Sequence, residues 1–134
     1  MKNPNRALKI WFGTEVNDIT SLEVYDGMAP SSAGNEYVII TGRSSNQEQG
    51  KSDFVNTCTI ILDIVTRNAN FGYKRSEEIS ELIMAGINSD TVIDLGSEWD
   101  VTTNYISIQN LDGLNPDDKV FRTLVTYNLT VINK

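Results

Sequence analysis

Carboxylates are the groups in this chain best placed to do acid–base or metal chemistry, because its 134 residues include no histidine. That absence removes the commonest general base, the Ser-His-Asp and Cys-His constellations, and most zinc and iron sites. Glu77-Glu78 could act as paired acids, but a helix N-terminus attracts acidic residues in any case. Asp112, Asp117 and Asp118 surround Gly113 with a faint likeness to a calcium loop. The alternating ligands and terminal Glu of an EF-hand are missing. Asp63 interrupts an apolar run; its place on the mixed face of a strand predicts an exposed charge. Cys58 is the only cysteine, so it forms no intramolecular disulfide, and its core-side position reads as a buried structural thiol.

Other motifs carry less. Asn128-Leu129-Thr130 matches the glycosylation sequon, but it lies mid-strand in a chain that shows no secretory signal. The Gly42 to Gly50 segment lacks the Lys-Ser/Thr ending and following helix of a phosphate loop. Trp11, Trp99 and Tyr105 suit core and rim packing. No enzyme, cofactor or metal is expected, although carboxylate chemistry stays formally open.

Bulk properties narrow the classes further. A net charge of −7 argues against tight wrapping of nucleic acid, which needs clustered Lys and Arg. It suits solubility, and it would equally suit a pore that lets DNA slide through without sticking. No stretch approaches the ~18 apolar residues of a membrane span. The start, MKNPNRALKIWFG, is too polar for a signal-peptide core, so the expected place is the cytoplasm or a particle assembled there. The length suits one domain, residues 1–134.

The elements that would position these groups read as follows. Asn3-Pro4 opens a short helix carrying Ala7, Leu8, Trp11 and Phe12, with Gly13 as its stop. Ser21 to Tyr25 reads as a short strand. Glu36 to Gly42 is a continuous apolar run, the mark of a central strand buried on both faces. Arg43 to Ser52 is a polar loop or the tip of a long hairpin. Phe54 to Thr66 alternates at period two, with Cys58, Ile60, Leu62 and Ile64 on the core side. At ~3.3 Å per residue that strand spans roughly 43 Å, against a diameter of roughly 35 Å for a compact chain of this size. It must cross the domain, bend or project.

Arg75 to Asn88 is an amphipathic helix capped by Ser76, with Ile79, Leu82, Ile83, Gly86 and Ile87 on one face. Thr91 to Asp94 reads as a short extended piece. Val101 to Leu111 is a strand with Tyr105, Ser107 and Gln109 opposite Ile106 and Ile108. Lys119 to Ile132 is a second very long strand, with Phe121, Val125, Tyr127, Leu129 and Val131 inward. The predicted fold is α+β: an antiparallel sheet of four to five strands, two helices on one face, and long hairpins that project.

Taken in order, several segments carry a family likeness: VYDGMAP (Val24 to Pro30), NEYVIITG (Asn35 to Gly42), TIILDIVTR (Thr59 to Arg67), SEEISELI (Ser76 to Ile83) and FRTLVTYNLTV (Phe121 to Val131). Together they resemble the tail terminator, or tail completion, proteins of tailed bacteriophages, and the resemblance covers nearly the whole chain. It implies a structural virion protein, assembled in the host cytoplasm, that forms a homo-oligomeric ring, commonly a hexamer. The ring would cap the tail tube protein and join it to the head–tail connector, with genomic double-stranded DNA passing through the lumen and no membrane involved. No catalytic residue carries over. Loop position nominates Arg43, Gln47, Glu48, Gln49, Lys51, Asp117 and Asp118 as interface residues. The alternatives are a head-completion or connector adaptor ring of the neck, and a soluble monomeric binding module or carboxylate hydrolase.

Overall fold

The computed structural model describes residues 4–46, 54–67, 72–111 and 120–133. Two helices lie on one face of a five-stranded sheet: α1 (Asn5–Thr20), β1 (Val24–Asp26), β2 (Glu36–Asn46), β3 (Phe54–Thr66), α2 (Lys74–Gly86), β4 (Trp99–Asn110) and β5 (Phe121–Asn133). The strand order is β1-β2-β3-β5-β4. The fold class is α+β as expected, but the sheet is mixed rather than antiparallel, because β1 runs parallel to β2. A parallel return normally needs a long crossover. Here β1 has only three residues, so the nine-residue segment 27–35 suffices. Where described, the long strands lie within this one sheet, so the expected projection of the hairpins is not seen; their tips, 47–53 and 112–119, fall outside the described residues.

α1 is longer than its sequence suggests. Leu8, Phe12 and Val16 recur at i, i+4, i+8 and are fully buried, and this stripe carries the helix through Gly13. The stop comes at Ser21, in the left-handed region at φ 61°, whose N–H donates to Asn17 O at 2.8 Å. Asn17 Nδ2 in turn donates to Leu22 O at 2.7 Å. Ser21 therefore ends a helix instead of starting a strand, and β1 begins only at Val24. Pro4 holds the cap position with no side-chain bond, and Asn3 lies outside the described residues.

α2 begins one residue earlier than expected. Tyr73 occupies the cap position, and Ser76 is buried inside the first turn, its hydroxyl 2.8 Å from that of Thr123. Ile79, Ile83 and Ile87 face the core, whereas Leu82 turns outward at 50 % exposure. The segment 91–94 is irregular, not a strand.

α1 lies over β2, and α2 over β3 and β5. Between them the core takes Val38 and Ile40 from β2, Cys58 to Ile64 at alternate positions from β3, and Val125 to Val131 at alternate positions from β5. Tyr127 is its largest fully buried side chain. Its ring centroid lies 4.9 Å from that of Phe12, and its hydroxyl donates to Ile87 O at 2.7 Å. A buried tyrosine needs such an acceptor. Neither helix reaches fully over β4, so Ile108, on the helix side opposite Val125, stays 47 % exposed.

Candidate functional site

The second face of the sheet carries no layer among the described residues, and its side chains are the best candidates for recognition. Register places them in rows. Thr41, Ile61, Thr126 and Ser107 form one row; Arg43, Thr59, Asn128 and Tyr105 the next; Thr57, Thr130 and Thr102 a third. Hydroxyls and β-branched side chains give a pleated surface with little relief, as half-buried strands favour. Ile39, Ile61 and Leu124 are half-buried there without a covering element.

At one end of this face a polar cluster closes over itself. Arg122 donates from Nε (3.1 Å) and Nη2 to the two carboxylate oxygens of Asp63. Arg67 Nη2 donates to the Tyr37 hydroxyl at 2.9 Å, and its guanidinium carbon stands 5.3 Å from that ring's centroid. Tyr25 meets Tyr37 edge to face at 5.8 Å. Asp63 is thus 8 % exposed rather than the solvated charge its sequence position suggests. It can be buried because Arg122, two positions off its cross-strand partner Leu124, satisfies both oxygens. The hydrogen bond to Asp63 is also the main cause that pushes the Arg122 guanidinium above its usual range.

Acids are unevenly shared between the two sides, whereas cations lie on both, since Arg6, Lys9, Lys74 and Arg75 belong to the helices. Among described residues the open face bears Arg43, Arg67 and Arg122 against the paired Asp63, with Asp100 at the β4 margin. The acids gather elsewhere: Glu15 and Asp18 on α1, Glu77, Glu78 and Glu81 on α2, and Asp90, Asp94 and Glu98 in the segment before β4.

The sequence-derived candidates fall as follows. Arg43 is exposed on the open face opposite Thr59, and residues 43–46 belong to β2, so that part of the expected loop is strand. Gln47, Glu48, Gln49, Lys51, Asp112, Asp117 and Asp118 lie outside the described residues. Glu77 accepts from Asn110 Nδ2 at 2.9 Å, and Glu78 lies 3.6 Å from Arg75 Nη1. These contacts fasten and flank α2; they do not bring the pair to a reacting centre. Asn128 accepts from Asn104 Nδ2 at 2.9 Å on the open face. Cys58 is fully buried, and burial pushes its thiol up to about 11. Among the described residues no three His, Cys, Asp or Glu side chains come together to hold a metal.

Among the described residues, shallow grooves cross the helical side. One of about 570 Å³ between α1 and β1 contains the Lys9–Asp26 pair at 3.1 Å. One of about 370 Å³ between α1 and Leu95 is lined by Ala7, Ile10 and Trp11. One of about 380 Å³ between α2 and β4 is lined by Met84, Ile108, Glu77 and four further polar residues. None of them places a nucleophile beside a base.

Two features escaped sequence reading. The Asp63–Arg122 pair joins residues 59 apart in the chain, and nothing local signals it. The β-bulge between Thr103 and Tyr105 in β4 follows from no Gly or Pro. The apolar members Ile61 and Val65 on the mixed side of β3 were the available sign that this face is more than a solvated surface. No protein-family model matches the chain, and no curated protein matches it.

Proposed function

We propose that this chain is a ring-forming structural protein of a phage neck, a tail terminator, acting by steric and electrostatic means and not by catalysis. The observation that carries the reading is the uncovered sheet face. It is four long strands wide, hydroxyl-rich and aliphatic, and among the described residues it bears no acid except the paired Asp63 and the marginal Asp100, in a chain of net charge −7. Such a face is a contact surface looking for a protein partner. The resemblance to tail terminators names the partners: neighbouring subunits, the tail tube and the connector.

In this reading the acidic helical side turns toward the lumen. Glu77, Glu78 and Glu81 would repel phosphates, so DNA passes without sticking. The open face and its exposed Arg43 make protein contacts.

Light scattering of the purified protein, with and without tail tubes, tests the reading. A ring of about six subunits, assembled on tubes, is expected. Ile61→Asp, a charge at the centre of the open face, should abolish that ring while leaving the circular dichroism spectrum intact. A ring near twelve subunits would favour the connector adaptor instead. A chain indifferent to tubes and connectors, or an Ile61→Asp variant that assembles normally, would sink the proposal.

A further inference from the structure

The outer side of β4 is a free edge twelve residues long, and no strand pairs with it among the described residues. Natural edges are blunted by lysines, prolines, shortness or cover. β4 has no lysine and no proline, and one charged residue, Asp100. The opposite edge, β1, is only three residues long and lies beside α1. The one device on β4 is its bulge. Thr103 faces Leu129 and Tyr105 faces Asn128, which leaves Asn104 as the extra residue. Its side chain folds back onto its own sheet, donating to Asn128 Oδ1 and Thr130 Oγ1, each at 2.9 Å.

The bulge shifts the alternation of β4. Before it, Val101 and Thr103 lie on the helix side, opposite Val131 and Leu129. After it, Ile106 and Ile108 do, opposite Tyr127 and Val125. A regular strand laid along this edge matches faces on one side of the bulge and mismatches them on the other, since a one-residue slip inverts every side chain. A strand with the same bulge in the same place restores the match along the whole edge. We infer that the edge of β4 pairs antiparallel with the β4 edge of a second copy of this chain, about a two-fold axis between Asn104 and Tyr105.

That register sets Val101 against Ile108 and Thr103 against Ile106 of the second copy on the helix side. On the open face it sets Thr102 against Ser107 and Asp100 against Gln109. No two like charges meet, although the chain carries −7. The backbone agrees. Leu111 N–H donates to Arg122 O at 3.0 Å, so its alternates Asn110, Ile108 and Ile106 turn their peptide groups outward. The same alternation on the other side of the bulge turns Thr103 and Val101 outward. Tyr105, 58 % exposed, and Ile108, 47 % exposed, gain cover.

Twelve paired residues make an edge about 40 Å long. With a sheet thickness of roughly 10 Å, the contact buries roughly 400 Å² per copy, about half of a standard stable interface. The dimer is therefore weak and reversible. It does not rest on the ring reading. A cyclic ring joins unlike surfaces, whereas this contact uses one surface twice. The dimer is a state of the free chain that guards an otherwise sticky edge.

Sedimentation velocity across a concentration series should show monomer and dimer in exchange, and Ile61→Asp should leave that exchange unchanged. Tyr105→Lys places two lysines beside the axis and should weaken association at least tenfold without altering the circular dichroism spectrum. Register is read by cysteine pairing. Thr102→Cys mixed with Ser107→Cys should give an oxidised mixed dimer, and either variant alone at least tenfold less; native Cys58 is buried and silent. Monomer at all concentrations up to about millimolar, a Tyr105→Lys chain that dimerises normally, or single variants that cross-link as well as the mixture would each overturn the inference.

Discussion

Arg122 on β5 holds Asp63 on β3 through its Nε and Nη2 donors, on a sheet face that neither described helix covers. The two ends of this pair are unequally wet: the Arg122 side chain is 35 % exposed and that of Asp63 11 %. Removing one partner should therefore cost unequal amounts. Arg122→Leu strands a nearly buried carboxylate and should lose about 2–3 kcal/mol. Asp63→Leu leaves a guanidinium that can turn to water and should lose about 1 kcal/mol. The double variant should recover most of the loss, because an apolar pair replaces an ionic one. Urea unfolding of the four chains measures the coupling, and strictly additive losses would count against it.

Tyr127 anchors the end of α2 to the middle of β5 through its hydroxyl on Ile87 O. Tyr127→Phe leaves that carbonyl unpaired in the core and should lose about 1–2 kcal/mol, with no change in helix content. An unchanged urea midpoint would mean that the carbonyl finds another donor.

Gly86 ends α2 against α1. A Cβ there would run into Cδ1 of Ile19 and come within 3.0 Å of its Cγ1. Alanine normally improves a helix by about 1 kcal/mol over glycine. Here Gly86→Ala should instead lower the melting temperature, and Ile19→Val, which removes the obstructing methyl, should restore it in the double variant. A Gly86→Ala chain more stable than wild type would show that Ile19 moves aside freely.

Cys58 contributes the first part of the alkaline limb of the stability curve, and the buried Tyr127 phenol, also raised by burial, adds to it at higher pH. Burial raises its thiol from 9.0 to about 11 in the folded chain. Above pH 9 the unfolded chain releases this proton and the folded chain does not, so the folded state loses ground as pH rises, until about 11. The loss over that window should be about 2–3 kcal/mol. Cys58→Ala is less stable at neutral pH, for the cavity it leaves, but it should show a flatter slope between pH 9 and 11. Equal slopes would place the thiol in contact with solvent.

The limits of β3, the inward faces of β3 and β5, and the α+β class were legible from the chain because each rests on local periodicity. Phe54 to Thr66 alternates on a period of two, and one face of such a strand must leave water. The same logic located α2 through Ile79, Ile83 and Ile87. It misplaced the end of α1, since Gly13 is a weak local stop and Val16, one turn further on, is fully buried. The state of Asp63 was decided by Arg122, which lies 59 residues away in sequence. The parallel pairing of β1, the bare second face and the bulge that re-phases β4 depend on which strands become neighbours. Periodicity says which side of a strand is apolar. Only tertiary structure decides what lies beside it, because pairing partners are chosen by the summed burial and hydrogen bonding of the whole sheet.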